Sequence, residues 1–347
     1  VARIRLLLIA LTAGLALLAD CYIAKQGYYV TKYSFSARPI AHALKDTSLD
    51  VKKRRFLDRT LAIRKFAFDS IGLTRNRNYS TLITIKKQYL VDVVAASAAD
   101  RFAPYIWHFP FFGGFPYKGF FDRKDALREV ACLRRRGYDV TMSPVDAFST
   151  LGFFSDPVYS FMADFTPYEL ASLIIHEETH ATVFLKNRIA LNEEMAEFVG
   201  ETGALWFLKS TCGDTSAAYR EALLEKADDE VWERKLRDLY DTLAVVYGKN
   251  IPRDEKLAEK AAIIAAFKRE LTDHYSTYFK SDRFTGIEKA NINNAYLAVR
   301  MNYYGDKSLF EELYKRNNND LAAVVAELKR LKKLKKGESP EELLKGY

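Results

Sequence analysis

One stretch restricts what this 347-residue chain can fold into more than any other: Thr166-Pro167-Tyr168-Glu169 followed by His176-Glu177-Glu178-Thr179-His180. Thr166 suits an N-cap and Pro167 the first helical position. Glu169 lies three residues after the cap, which completes a capping box. The pattern predicts a helix from Pro167 to about Phe184. Leu170, Leu173, Ile174 and Val183 give it an apolar face, so it packs as a buried helix with polar groups directed into a cleft. Residues four apart stand one above the other on a helix, so His176 and His180 can reach a single ion. H-E-x-x-H is a zinc-binding signature in which the glutamate, here Glu177, acts as general base beside the attacking water. So short a pattern also arises by chance, in core helices whose histidines are merely hydrogen-bonded.

Zinc at a catalytic site takes three protein ligands and leaves one position open. The segment Leu191-Asn192-Glu193-Glu194-Met195-Ala196-Glu197-Phe198-Val199 follows closely. Leu191, Met195, Phe198 and Val199 recur at helical spacing. A short loop around Lys186 to Ala190, then a second helix packing back on the first, would bring Glu193 near the histidine pair as third ligand. Glu194, Glu197 and Glu201 compete for the role. Glu194 reads as solvated, and Glu197, one turn past Glu193, could orient a histidine N–H. Asn192 is a candidate cap for the second helix.

His176-Glu177-x-x-His180 with Leu191-Asn192-Glu193-x-x-Ala196 resembles the gluzincin metallopeptidases, in which a glutamate of an N-E-x-x-A segment completes the zinc site. Further segments resemble, more closely, a family of bacterial aminopeptidases, often lipoproteins. They are Phe115-Pro116-Tyr117-Lys118-Gly119-Phe120-Phe121-Asp122, Gly137-Tyr138-Asp139-Val140, residues 147–157, and Asn293-Asn294-Ala295 with its downstream tyrosines. The resemblance runs from about Phe115 to Tyr304. It implies a zincin-like core, one Zn2+ ion held by His176, His180 and Glu193, and Glu177 as base. The polar pair Glu178-Thr179 departs from the small or apolar residues that many gluzincins carry there. The run Ser149, Thr150, Leu151, Gly152 and Phe153 would be the edge that pairs with a peptide backbone, with Gly152 allowing close approach. Amide hydrolysis needs a donor for the developing oxyanion. Tyr304 is the candidate, with Tyr303 next.

Arg3 and Arg5 precede an uncharged run from Leu6 to Ala19. That run is shorter than the roughly 20 apolar residues of a spanning helix and suits a signal-peptide core. Leu18-Ala19-Asp20-Cys21 resembles a lipobox with Cys21 as the lipidated residue. Asp20 departs from the pattern, and an uncleaved membrane anchor is the alternative. Residues 1–21 are therefore expected to be a signal peptide or anchor. Residues 22–347 are expected to be one catalytic domain, held at a bacterial envelope and facing the periplasm or exterior. Three cysteines are too few for a disulfide framework. Cys132 reads as a small core residue, and Cys132 and Cys212 could pair. The net charge of +8 includes a basic run from Lys329 to Lys336. No nucleic-acid-binding motif accompanies it, so the expected partners are peptide substrates and a membrane, not nucleic acid.

The fold class expected is α+β, mostly helical, with a small sheet before the motif helix. Asp50 to Phe68 and Asp125 to Arg136 read as helices, the latter stopped by Gly137. Tyr89 to Ala96 and Tyr138 to Met142 read as strands, and Phe109 to Phe115 as an aromatic wall. Sheet and zinc helices are expected at about 80–210, and a helical C-terminal part at about 215–347. The activity expected is zinc-dependent peptide hydrolysis, of aminopeptidase type by the resemblance. The alternatives are an endopeptidase with the same chemistry and a non-catalytic envelope lipoprotein that keeps the fold.

Overall fold

A computed structural model describes residues 22–109, 113–145, 155–303, 307–334 and 338–345. The order begins with α1 (22–36), β1 (Arg38–Pro39), α2 (Ile40–Ala43), α3 (Val51–Asp69), β2 (Thr81–Ile83) and β3 (Val91–Ala98). It continues with β4 (Trp107–Phe109), β5 (Gly113–Phe115), β6 (Tyr117–Phe120), α4 (Arg123–Arg135), β7 (Tyr138–Val145) and β8 (Val158–Tyr159). The rest is helical: α5 (Pro167–Thr182), α6 (Ile189–Cys212), α7 (Ala217–Gly248), α8 (Arg253–Asp273) and α9 (Tyr275–Tyr278), then α10 (Asn294–Tyr303), α11 (Ser308–Arg316), α12 (Leu321–Leu328) and α13 (Pro340–Lys345). The chain is thus α+β and mostly helical.

Helix starts follow local chemistry. Asp50 caps α3 by accepting from the Lys53 N–H, and Asp122 caps α4 by accepting from Lys124. The box at α5 is complete: Thr166 Oγ1 accepts from the Glu169 N–H at 3.1 Å and the Thr166 N–H donates to Glu169 at 2.9 Å. Helix α5 ends at Thr182 rather than Phe184, because Val183 takes an extended backbone. Gly137 ends α4 in the left-handed region at φ +81°, where a side chain is disfavoured.

The main sheet is antiparallel, in the order β6-β3-β7. Alternation along β3 splits its side chains between two cores. Val94 and Ala96 pack with Ala126, Val130 and Leu133 of α4, while Val91 joins the large core formed by α3, α5, α6 and the C-terminal helices. Helix α1 lies against β6, with the Tyr22 hydroxyl donating to the Gly119 carbonyl at 2.5 Å. A smaller sheet, β1-β2-β8, flanks the start of the motif region, and β4 and β5 form a separate hairpin. Trp232, Leu236, Leu239 and Phe267 of α7 and α8 build a further core with Leu297 of α10.

Both cysteines within the described residues are exposed free thiols. The core position expected for Cys132 is corrected: α4 buries Ala126, Val130 and Leu133, and Cys132 points off that stripe. Cys212 ends α6 at the surface, so no disulfide joins the two.

Asn294 docks α10 on the sheet. Its Nδ2 donates to the carbonyls of Ala98 (2.9 Å), Arg101 (3.2 Å) and Ala99 (3.3 Å), its Oδ1 accepts from Tyr247 (2.7 Å), and its backbone N–H reaches Asp139 (2.8 Å). The residue is fully buried, so removing the amide strands those carbonyls away from water. Asn294→Ala is expected to lower stability by about 1–3 kcal/mol, read from the urea midpoint.

Candidate metal centre

His176 and His180 project from one face of α5, as their spacing requires. Their rings are nearly perpendicular, at 83°, and their Nε2 atoms lie 3.1 Å apart. Helix α6 packs back on α5 and brings the Glu193 carboxylate to 3.4 Å from His180 Nε2 and 3.6 Å from His176 Nε2. All three side chains are half-buried, so the group opens to solvent on one side. Among the described residues this is the one set of His, Cys, Asp and Glu ligand atoms that converges. Tetrahedral zinc with bonds of about 2.0–2.2 Å separates its ligand atoms by about 3.3–3.6 Å. The spacings here, 3.1, 3.4 and 3.6 Å, lie within about 0.2 Å of that edge length, and two imidazoles with one carboxylate form a donor set that zinc accepts. One atom falls short of the fit: the buried Nδ1 of His180 has no hydrogen-bond partner among the described residues, although a ligating histidine usually donates its second N–H.

Burial pushes the Glu193 carboxyl up, but bonds from His176 and His180 outweigh it and hold the group down at about 2. It is therefore an anion in the fold, the form a metal ligand needs. Glu177 is half-buried on the same helix.

Two features of α6 set this geometry. The first is Gly200. A Cβ there would lie 2.9 Å from the Ser172 carbonyl oxygen and 3.1 Å from His176 Cβ, so the bare backbone lets α6 press against α5 at the level of the first histidine. Gly203 does the same against Ile175 and Ile71. The second is Asn192. Its expected capping role is corrected: α6 starts earlier, at Ile189, and Asn192 is fully buried within its first turns. Its Oδ1 accepts from the Leu185 N–H and its Nδ2 donates to the Leu185 carbonyl, both at 2.8 Å. The Leu185 peptide lies in the loop leaving α5, and the Asn192 amide satisfies both its donor and its acceptor. The loop is thereby tied beside Glu193.

The opposite face of α5 is clamped by residues 74–79. The Thr74 N–H donates to Thr182 Oγ1 at 2.9 Å, and Asn76 donates to the Glu178 carboxylate. Glu178 is fully buried, and burial raises its pKa to about 7 against the pull of Asn76 and Arg64. Arg64 in turn holds the Asn78 carbonyl at 2.5 Å and the Asn76 carbonyl at 3.1 Å.

The other acidic residues of α6 have their own partners. Glu197 does not reach a histidine N–H, the role expected of it; it faces Lys307 at 3.4 Å. Lys307 is also 3.2 Å from Glu201 and 3.7 Å from Glu233, and Lys226 is 3.0 Å from Glu201. Burial pushes the Glu197 carboxyl up, although Lys307 opposes it. Glu194 is half-buried rather than solvated. Cys21, Ser149, Thr150, Leu151, Gly152, Phe153 and Tyr304 lie outside the described residues, and only the backbone of Tyr303 is described, at the end of α10. Tyr117 at the start of β6 was not singled out from sequence. Its phenol is raised by burial and, second, by the charge of Glu193. The segment Phe115-Pro116-Tyr117-Lys118 was the available signal. Around it, Phe115 contacts Phe109 at 5.9 Å and Tyr117 at 6.4 Å between ring centroids, which gives part of the expected aromatic wall.

The family described as "Putative aminopeptidase" matches residues 21–343. The chain belongs to this family. No curated protein and no solved structure matches the chain. The family match covers both histidines, Glu177 and Glu193 as well as the helices that carry them.

Gly200→Ala pits two effects against each other. Alanine gains about 1 kcal/mol of helix propensity, whereas a Cβ forced against a backbone carbonyl costs about 1–3 kcal/mol. The clash is expected to win, so the variant should melt below the parent and bind metal more weakly. Glu178→Gln tests the clamp. A carboxyl raised by folding loses stability as pH climbs from its unfolded value near about 4.3 through the folded one. The glutamine variant, free of that loss, is expected to melt above the chelator-treated parent at about pH 8 and to lose its advantage near about pH 4.

Proposed function

We propose that this protein is a zinc-dependent peptidase with a zincin-like core, hydrolysing peptide bonds and acting as an aminopeptidase. The observation that carries the reading is the convergence of His176 Nε2, His180 Nε2 and the Glu193 carboxylate within about 0.2 Å of the edge lengths of a zinc tetrahedron. Zinc held by these three groups supplies Lewis acidity that brings the pKa of a water into the neutral range. Glu177, the residue after His176 on α5, takes the proton from the attacking water and passes it to the leaving amine. The family description supports removal of N-terminal residues. Ser149 to Phe153 is proposed as the edge that pairs with the substrate backbone. Tyr304 is proposed as oxyanion donor. Attachment to a bacterial envelope through a lipid on Cys21 is part of the proposal and rests on the lipobox-like sequence. Among the described residues no helix is long and apolar enough to cross a membrane.

Glu177→Gln is expected to retain zinc by elemental analysis and to lose peptidase activity by about 10²–10⁴-fold; near-parental turnover would sink the mechanism. Glu193→Ala is expected to lose the metal, and full occupancy would remove it from the ligand set. Mass spectrometry of a mixed peptide pool incubated with the zinc-loaded protein identifies the bond cut. Successive loss of N-terminal residues is the expected result. Internal cuts mean an endopeptidase, and no chelator-sensitive cleavage means a binding module that keeps the fold.

A further inference from the structure

Apart from the histidine pair, α3 sets a row of cations over an apolar cavity of about 480 Å³. That size falls within the range of small-molecule pockets, roughly 300–1,000 Å³. Phe56, Met162 and Leu170 are buried in its wall, and Phe165 is half-buried beside them. The rim carries Lys52, Arg55 and Arg59, which share one face of α3 at i, i+3 and i+7. No carboxylate lines the cavity. Lys52 pairs with Asp164 just outside it. Arg55 and Arg59 have no ion-pair or hydrogen-bond partner among the described residues. Arg59 is half-buried; that burial disfavours its charge most, Cys212 favours it, and the like charge of Arg55 disfavours it further. A half-buried guanidinium beside a second one, with no carboxylate in the lining, is stabilised by an anion that enters from outside.

Cations at the mouth and apolar side chains below define the chemistry of the occupant. We propose that this cavity binds a single-chain amphiphile with an anionic head, a carboxylate or a phosphate monoester. Its head lies on Arg55 and Arg59 and its chain covers Phe56, Met162, Phe165 and Leu170. The guanidiniums recognise either head by paired hydrogen bonds, and the apolar wall selects the chain.

Calorimetric titration of the full chain with decanoate, decyl phosphate, decan-1-ol and acetate tests this. One of the two anionic amphiphiles is expected to bind at a single site, at least about tenfold more tightly than decanol or acetate. Arg55→Ala with Arg59→Ala is expected to weaken that binding by about tenfold or more. Phe165→Ala is expected to weaken the amphiphile and leave acetate unchanged. Acetate binding as tightly as decanoate and decyl phosphate would reduce the cavity to an anion site and overturn the proposal. Equal binding of decanol would also overturn it, as would a double arginine variant that is folded by circular dichroism and binds like the parent. If the double variant fails to fold, Arg59→Gln alone carries the same expectation.

Discussion

The contact between α5 and α6 at Gly200 is the constraint on which the candidate centre depends. Two helices with ordinary side chains at their contact stand about 8–10 Å apart. Here a missing side chain lets the α6 backbone reach the Ser172 carbonyl and the root of His176. Glu193 lies two turns earlier on α6, so the approach at Gly200 also sets how far its carboxylate stands from the imidazoles. The spacings of 3.1 to 3.6 Å among the three groups are therefore a property of the helix pair. Side-chain rotamers then adjust within it.

Close helices alone would leave buried polar groups exposed to an apolar interior, and the chain meets that cost with long-range hydrogen bonds. Asn192 satisfies the Leu185 peptide, and Asn76 meets the Glu178 carboxylate. Asn294 closes the end of the main sheet. In each case one amide serves several backbone or carboxylate atoms that water cannot reach. These side chains fix loops, and the loops in turn orient the helices that carry the histidines and Glu193.

Much of the helix carrying the motif could be read from sequence because its determinants are local. Thr166, Pro167 and Glu169 act within one turn, and the histidine spacing follows from helical geometry. The grouping with Glu193 was accessible for a related reason: a short loop forces the next helix back on the first. Asn192, Glu197 and Cys132 were read less well. Asn192 was read as a cap, since asparagine near a helix start usually is one, but its partner is set by the path of the loop. The partner of Glu197 is Lys307, which only the assembled fold brings near. Cys132 differs from a core residue by one position on a helix stripe, and periodicity does not resolve that. Gly200 carried no signal, since a glycine inside a helix reads as a weakness until its neighbour is known.

The carboxylates of α6 show how charge is shared along one face. Glu193, Glu197 and Glu201 are four residues apart, so they stack on the same side of the helix. Like charges at that spacing repel, and burial strengthens the repulsion. The chain resolves this by splitting the row between two sets of partners. Glu193 meets the two imidazoles and stays ionised, whereas Glu197 and Glu201 converge on Lys307, with Lys226 adding a second cation at Glu201. Lys307 thus keeps Glu197 and Glu201 turned to a cation of their own and leaves Glu193 as the α6 carboxylate that faces the histidines.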